Sequence, residues 1–420
     1  MVTEVKWDEK NFLYLNREFT KVEDENPENL RRKIEPWLSA VFQSEHLSLL
    51  IGTGLPIATT LIANSKPPAM NKIEFKNFQK EISGWSQDQA TMMQRGESNF
   101  EDDLRASLEL LQGLKILQKG KEAEKLEIEI DEILGNFVKN ILNVEHDFMQ
   151  KPENERDKAL MYLKSFLISF ASRTATRDRL NIFTTNYDRF IEYGCDLAGI
   201  IILDRFIGKI NPVFRSTKIE LDCHYNPPGI RGEPRYVEGV ARLTKIHGSI
   251  DWRFSDRKII KEPIAFGVEN YPVTALKDKV VIYPNSAKGV DTTYYPYSEL
   301  FRDFSSAVCR PNSTIVIYGY GFGDSHINRI LEDMLTIPST HIVIISFDNA
   351  SGRIKKFFEN SNPAQFTLLI GDHLGNLVTL VDNYLPKAAI DRITERQQKI
   401  MERRGTVTPA HEIKDAEKKQ

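Results

Sequence analysis

The feature that most constrains this 420-residue chain is an alternation in its last third. Unbroken apolar runs at Thr314–Tyr318, His341–Ser346 and Phe366–Ile370 are separated by amphipathic stretches at Ser325–Leu335 and Ser351–Glu359, and a further helical stretch, Leu374–Leu385, follows. A strand buried on both faces reads as a continuous apolar run, whereas a strand with one wet face alternates. Such strands joined by helices need right-handed crossovers, so the pattern predicts an α/β fold: a parallel sheet covered on both sides. Upstream, the same logic reads Leu47–Ile51, Asn181–Thr185, Ala241–Ile246 and Lys279–Tyr283 as strands, with Asp188–Leu197 and Tyr297–Val308 as helices. Residues 201–246 read as β-rich and irregular.

The stretch 70–178 breaks this alternation. Leu104, Leu108 and Leu111 recur at helical spacing, as do Leu126, Ile130, Ile133, Phe137 and Ile141, and then Leu160, Leu163, Leu167 and Phe170. Narrow apolar stripes on charged helices predict a helical insertion. The expected organisation is therefore an N-terminal helix, first strand and glycine loop in 1–69, the insertion in 70–178, the rest of the α/β domain in 179–387, and a charged helical tail in 388–420. Residues 1–46 read as an amphipathic helix carrying Leu30, Ile34, Leu38 and Phe42. The uncharged stretch Leu47–Ser65 is long enough to raise the question of a membrane span, but Gly52, Gly54 and Pro56 fit a strand, a turn and a short helix better. With 56 Lys plus Arg against 59 Asp plus Glu, no overall basic field for nucleic acid exists. Three scattered cysteines fit a reducing cytoplasm and supply no zinc-ligand spacing.

Four segments fall at the carboxyl ends of the expected strands, where parallel sheets bind their ligands. Gly52-Thr53-Gly54 permits close approach of a phosphate to a helix N-terminus, or serves simply as a tight turn. In Thr184-Thr185-Asn186-Tyr187-Asp188, Asp188 suits a helix cap, and Asn186 suits the orientation of a hydroxyl or a water. His247, in Lys245-Ile246-His247-Gly248-Ser249, sits in an open polar position and titrates in the range of a general base. Tyr318-Gly319-Tyr320-Gly321-Phe322-Gly323-Asp324-Ser325-His326 alternates glycines with aromatics, with Asp324 as the natural N-cap of the next helix.

In this order and context the four segments resemble the sirtuin-type fold. Gly52-Thr53-Gly54 is similar to its Gly-Ala-Gly phosphate loop, Thr185-Asn186-Tyr187-Asp188 to Gln-Asn-Ile-Asp, Lys245-Ile246-His247-Gly248-Ser249 to Glu-Leu-His-Gly-Ser, and Tyr318-Gly319-Tyr320 falls where that family has Gly-Thr-Ser. The resemblance covers about 45–64 and 178–385 and implies a Rossmann-like parallel sheet that binds NAD. Two departures go with it. Residues 250–280 hold no cysteine, so the four-cysteine zinc module is missing, and Pro56-Ile57-Ala58-Thr59-Thr60 lacks the family's Asp-Phe-Arg element. What is kept implies opening of the nicotinamide–ribose bond rather than peptide deacylation.

The resemblance then implies roles: Asn186 orients water and ribose, His247 serves as base or ribose contact, and Asp188 holds the nicotinamide carboxamide. Gly52, Thr53 and Gly54 cradle the diphosphate, Gly319 and Gly321 allow close approach from the other side, and Asp348 is a candidate for the adenosine ribose. The motif set is most similar to sirtuin-like NAD-hydrolysing effectors of prokaryotic anti-phage systems. At this length it resembles those paired with a HerA-family hexameric ATPase. That implies an oligomer larger than a dimer, with the insertion and tail as contact surfaces. Two other readings stay open: a non-catalytic NAD or ADP-ribose sensor, and a metal-dependent nuclease built on Asp324, His326, Asp372 and His373.

Overall fold

The computed structural model describes residues 4–69, 73–92, 97–173, 177–216, 223–225, 235–236, 239–255, 258–269 and 295–387. The expected strand Lys279–Tyr283 and the tail 388–420 lie outside these residues. The main sheet holds β1 (Phe12–Leu15), β2 (Glu18–Lys21), β3 (His46–Ile51), β4 (Leu180–Thr184), β5 (Ile201–Leu203), β6 (Val240–Lys245), β7 (Ser313–Tyr318), β8 (His341–Ser346) and β9 (Phe366–Ile370). Their spatial order is β2-β1-β9-β8-β7-β3-β4-β6-β5. From β9 to β5 every neighbouring pair is parallel. This is the Rossmann-like α/β architecture, with β3 at the centre and the chain winding first to one side and then to the other.

The edge differs from the sequence reading. Residues 1–46 hold not only a helix but also the antiparallel hairpin β1–β2, whose first strand pairs antiparallel with β9. Asn16 and Arg17 take positive φ at its turn. The alternating buried residues Phe12 and Tyr14 pack on the core, so the hairpin covers an edge that would otherwise be open.

Helices α1 (Pro27–Phe42), α2 (Gly54–Ile62), α3 (Gln79–Met92), α4 (Phe100–Ile116), α5 (Gly120–Met149), α6 (Glu153–Ala171), α7 (Phe190–Ala198), α8 (Tyr297–Val308), α9 (Ser325–Leu335) and α10 (Arg353–Glu359) follow in chain order. Helix α1 starts where Asn26 accepts from Asn29 N–H (2.8 Å) and Pro27 pre-sets the first turn. Its stripe Leu30, Ile34, Leu38 and Phe42 is fully buried. The side chains of β7 alternate between faces: Val316 and Tyr318 join α1, α2, α6 and α7 in one core, and Ile315 and Ile317 join α8, α9 and α10 in the other. Burial on both faces is what made the strands read as continuous apolar runs.

Helices α3, α4 and α5 build a third core around Phe100, Leu104, Leu126, Ile130 and Phe137. The third apolar set of the helical stretch goes elsewhere: Leu160, Leu163, Leu167 and Phe170 of α6 lie in the core of the sheet. Helix α5 joins the two layers. Its 30 residues span about 45 Å, with Phe137 in the helical core and Phe148 against Phe190 in the sheet layer. The stretch expected as helix Leu374–Leu385 is a single turn, Leu377–Thr379, running into a wider π turn, Leu380–Tyr384.

Candidate active site

The carboxyl ends of β3, β4, β6 and β7 lie side by side at the middle of the sheet, and their loops are knitted together. The loops after β3 and β7 meet backbone to backbone. Gly52 N–H donates to Tyr318 O and Gly54 N–H to Gly319 O, both at 3.0 Å. A β-carbon on Gly52 would lie 2.4 Å from Gly319 O, and one on Gly319, whose φ is +60°, would lie 2.6 Å from the Gly54 α-carbon. The glycines at these positions are thus required by each other. Their small size is used for loop packing, and two N–H groups available to a phosphate in the sequence reading are donated to the neighbouring loop. Thr53 remains exposed, at the start of α2.

The loops after β4 and β6 are finished with polar side chains. Asn186 is 3% exposed, and its Nδ2 donates to Gly52 O at 2.9 Å. Only the amide nitrogen can donate to a carbonyl, which fixes the side-chain orientation and leaves Oδ1 as the other atom. Among the described residues, that buried Oδ1 has no hydrogen-bond partner. A buried acceptor without a partner costs roughly 1–3 kcal/mol, so it marks a position for a donor such as a hydroxyl or a water. Ser48 Oγ and Tyr14 Oη, also without a partner among the described residues, lie within strands, whereas Asn186 lies two residues past the end of β4; Asp251 Oδ1, in the segment after β6, is a further such atom.

His247 is 6% exposed, and its Nε2 lies 2.9 Å from Asp324 Oδ2. The other Asp324 oxygen accepts from His326 N–H at 3.0 Å and caps α9. The sequence marked Asp324 as a cap, and the structure gives it this second task. The ring of Tyr187 lies 6.1 Å from that of His247 (centroid to centroid), which brings the loop holding Asn186 against the histidine.

Asp188 is half-buried, and its Oδ1 accepts from Phe190 N–H at 3.2 Å at the start of α7. Burial pushes its carboxyl up to about 6, against the opposing pull of Lys245. Lys245 Nζ reaches under the loop to Asp188 O and to Glu192 Oε1 (2.9 Å), fixing the backbone beneath the carboxylate. On either side of Asp188 the helical insertion takes hold. Tyr187 Oη donates to Glu101 of α4 at 3.2 Å, and Arg189 pairs with Glu145 of α5, which also accepts Arg189 N–H at 2.9 Å. Glu145 is fully buried, and burial pushes its carboxyl up to about 7 although Arg189 pulls it the other way. These contacts escaped sequence reasoning because a charged residue in a helical stripe reads as solvated until the fold buries it.

On the far side, Gly321 is exposed and its carbonyl accepts from Arg353 Nε at 2.6 Å. Asp348 is exposed just past β8, one strand over, with Oδ1 accepting from Ala350 N–H at 2.7 Å. Of the four nuclease candidates, His326 N–H donates to Asp324, and Asp324, Asp372 and His373 find side-chain partners apart from one another. Asp324 holds His247, Asp372 pairs with Lys10 and Asn11 at the hairpin, and His373 Nε2 meets Tyr384 Oη at 2.7 Å. Among the described residues no group of three or more His, Cys, Asp or Glu could hold a metal ion.

A Rossmann-like sheet with polar, partly unsatisfied side chains at its central carboxyl ends has its polar groups where open α/β sheets take their ligands. The family model of the SIR2-like domain matches residues 180–363, from the start of β4 to just past α10. Over that stretch, less than half of the 420 residues, the chain is similar to the SIR2-like domain, which is compatible with an NAD-related activity. The matched stretch contains Asn186, Asp188, His247, Gly319, Gly321 and Asp348, and it begins after the Gly52 loop that the sheet pairs with it. No significant match to a curated protein was found. No helix among the described residues is long and apolar enough to cross a membrane.

Proposed function

We propose that the chain is an NAD+ hydrolase: NAD+ and water give nicotinamide, ADP-ribose and a proton. The carrying observation is Asn186, whose buried Oδ1 lacks a partner among the described residues, in a loop that lies against the His247–Asp324 pair. NAD supplies a cationic pyridinium, which accepts the electron pair of the breaking C1′–N bond and leaves as neutral nicotinamide. The Asn186 amide, held by Gly52 O, orients the attacking water or the ribose through Oδ1. His247 takes the proton of the water as its oxygen bonds to C1′. Asp188, on a backbone fixed by Lys245, accepts from the carboxamide. Thr53, exposed at the positive end of α2, faces the diphosphate, Gly321 allows close approach, and Asp348 accepts from the adenosine ribose.

The reaction is tested by separating nicotinamide and ADP-ribose after incubation with NAD, with and without chelator. Cleavage that survives chelation supports the reading. NAD binding without cleavage would replace it with the sensor reading, and chelator-sensitive nucleic-acid cleavage with the nuclease. No zinc is assigned a role.

The biological setting proposed is the effector of a prokaryotic anti-phage system in the cytoplasm, assembled into a homo-oligomer larger than a dimer and controlled by a HerA-type ATPase. The motif resemblance supports this setting. So do the exposed Ile116, Leu117 and Ile128 near the junction of α4 and α5, at 79%, 68% and 46% exposure. Light scattering with and without the ATPase tests it, and a monomer unchanged on mixing refutes it.

A further inference from the structure

We propose that Asp324 is the positioning residue of the reaction. It holds His247 in the tautomer with the proton on Nε2, so that Nδ1 is the atom that accepts the proton of the water. The inference rests on the NAD-cleavage reading for its reaction and on local geometry for its chemistry.

Capping α9 needs one oxygen, and Ser, Thr or Asn supplies it as well as Asp. Asp324 uses Oδ1 for that task and has Oδ2 left 2.9 Å from the imidazole. An ionised carboxylate only accepts, so the facing nitrogen must carry the hydrogen. In a neutral ring the lone pair is then on Nδ1. The carboxylate has reason to stay ionised despite its burial, since it faces the positive end of α9. Both side chains are nearly closed off, at 6% and 9% exposure, which keeps water from competing for the bond. Tyr320 Oη donates to Asp324 O at 3.3 Å and Asn328 N–H to the same oxygen at 3.0 Å, so the aspartate backbone is held as well.

Titratable groups reach the ring from each neighbouring element. Asp324 comes from the cap of α9, Tyr187 from the loop after β4, Glu101 of α4 acts through the Tyr187 hydroxyl, and Tyr297 of α8 stands close to Tyr187. Of these, Asp324 is in direct hydrogen-bond contact through a carboxylate, and it is the one whose removal changes the charge on the histidine.

The experiment uses the full chain with Asp324→Asn and Asp324→Ser, both of which keep a helix cap. The expected result is a drop in kcat of about 10- to 100-fold, KM within roughly threefold, and an acid limb of kcat/KM moved to lower pH by about one unit. The titration of the His247 C2 proton, assigned by its loss in His247→Ala and recorded without NAD, should move in the same direction. An unchanged pH profile and an unchanged titration, with kcat either lowered or intact, would reduce Asp324 to a cap and overturn the proposal. NAD left intact by the wild-type protein would instead overturn the reaction reading. The proton titration then decides the His247–Asp324 coupling by itself.

Discussion

Two neighbouring pairs of strand ends at the centre of this sheet are closed in opposite ways. After β3 and β7 the chain closes with backbone on backbone: Gly52 and Gly54 against Gly319, with no room for a β-carbon on Gly52 or Gly319. After β4 and β6 it closes with side chains: Asn186, His247, Lys245 and Arg189, each buried and each joined to a polar partner from another element. The glycine seam satisfies its own hydrogen bonds. Among the described residues, the polar side leaves an acceptor unused on Asn186. In this α/β sheet, then, glycines mark where two loops must touch, and surplus hydrogen-bonding capacity marks where a ligand is expected.

If the polar side depends on the helical insertion, removing its buried anchor should have the largest effect. Glu145→Ala strands the Arg189 guanidinium in a buried site and should destabilise the protein by about 3–5 kcal/mol in denaturant unfolding. Glu145→Gln should cost less and change the pH dependence. The raised carboxyl pKa, about 7 against 4.5 when unfolded, means that the native state holds the proton more tightly. Its contribution is fully present below about pH 4.5 and lost as pH rises towards 7. Wild-type stability should therefore decline across that window, and the Gln variant should decline less.

His247→Ala tests the polar side at its chemical end. Turnover of NAD should fall by roughly 100-fold or more, equivalent to about 2.7 kcal/mol, with folding stability nearly unchanged. Full activity in that variant would make the histidine a packing residue.

Gly52→Ala tests the seam. The added methyl meets Gly319 O, so the variant should lose about 1–3 kcal/mol of stability by overpacking. An unaltered unfolding midpoint would show that the two loops are not in contact. Asp188 sharpens the comparison through pH: with its carboxyl at about 6, protonation below that pH removes its charge and turns one oxygen into a donor, and KM for NAD should rise as pH falls through 6. Asp188→Asn should abolish that rise. The smallest effect belongs to the exposed Asp348. Asp348→Ala should raise KM about threefold, the worth of a hydrogen bond of roughly 0.5–1 kcal/mol in contact with water.

Much of this was legible beforehand. The continuous apolar strands, their helices and the placement of all four motifs at strand ends follow from local pattern, because burial on both faces leaves short runs rich in Val, Ile and Leu between the amphipathic stretches. The hairpin β1–β2 was not legible. Phe12 to Lys21 mixes apolar and charged residues without a strong turn dipeptide, and its strands form only because β9 offers an edge.

By itself, then, the sequence determined the α/β class, the position of Asn186 and His247 at the ends of β4 and β6, and the capping role of Asp324. These depend on residues close together in the chain. Only the tertiary structure decided that Gly52 and Gly319 serve each other, that Asp324 reaches His247 from 77 residues away, and that Glu145 grips Arg189 from 44 residues away. The physical reason is that local pattern reports how much of a side chain leaves water, whereas a hydrogen bond or ion pair depends on which distant partner is brought within about 3 Å of it.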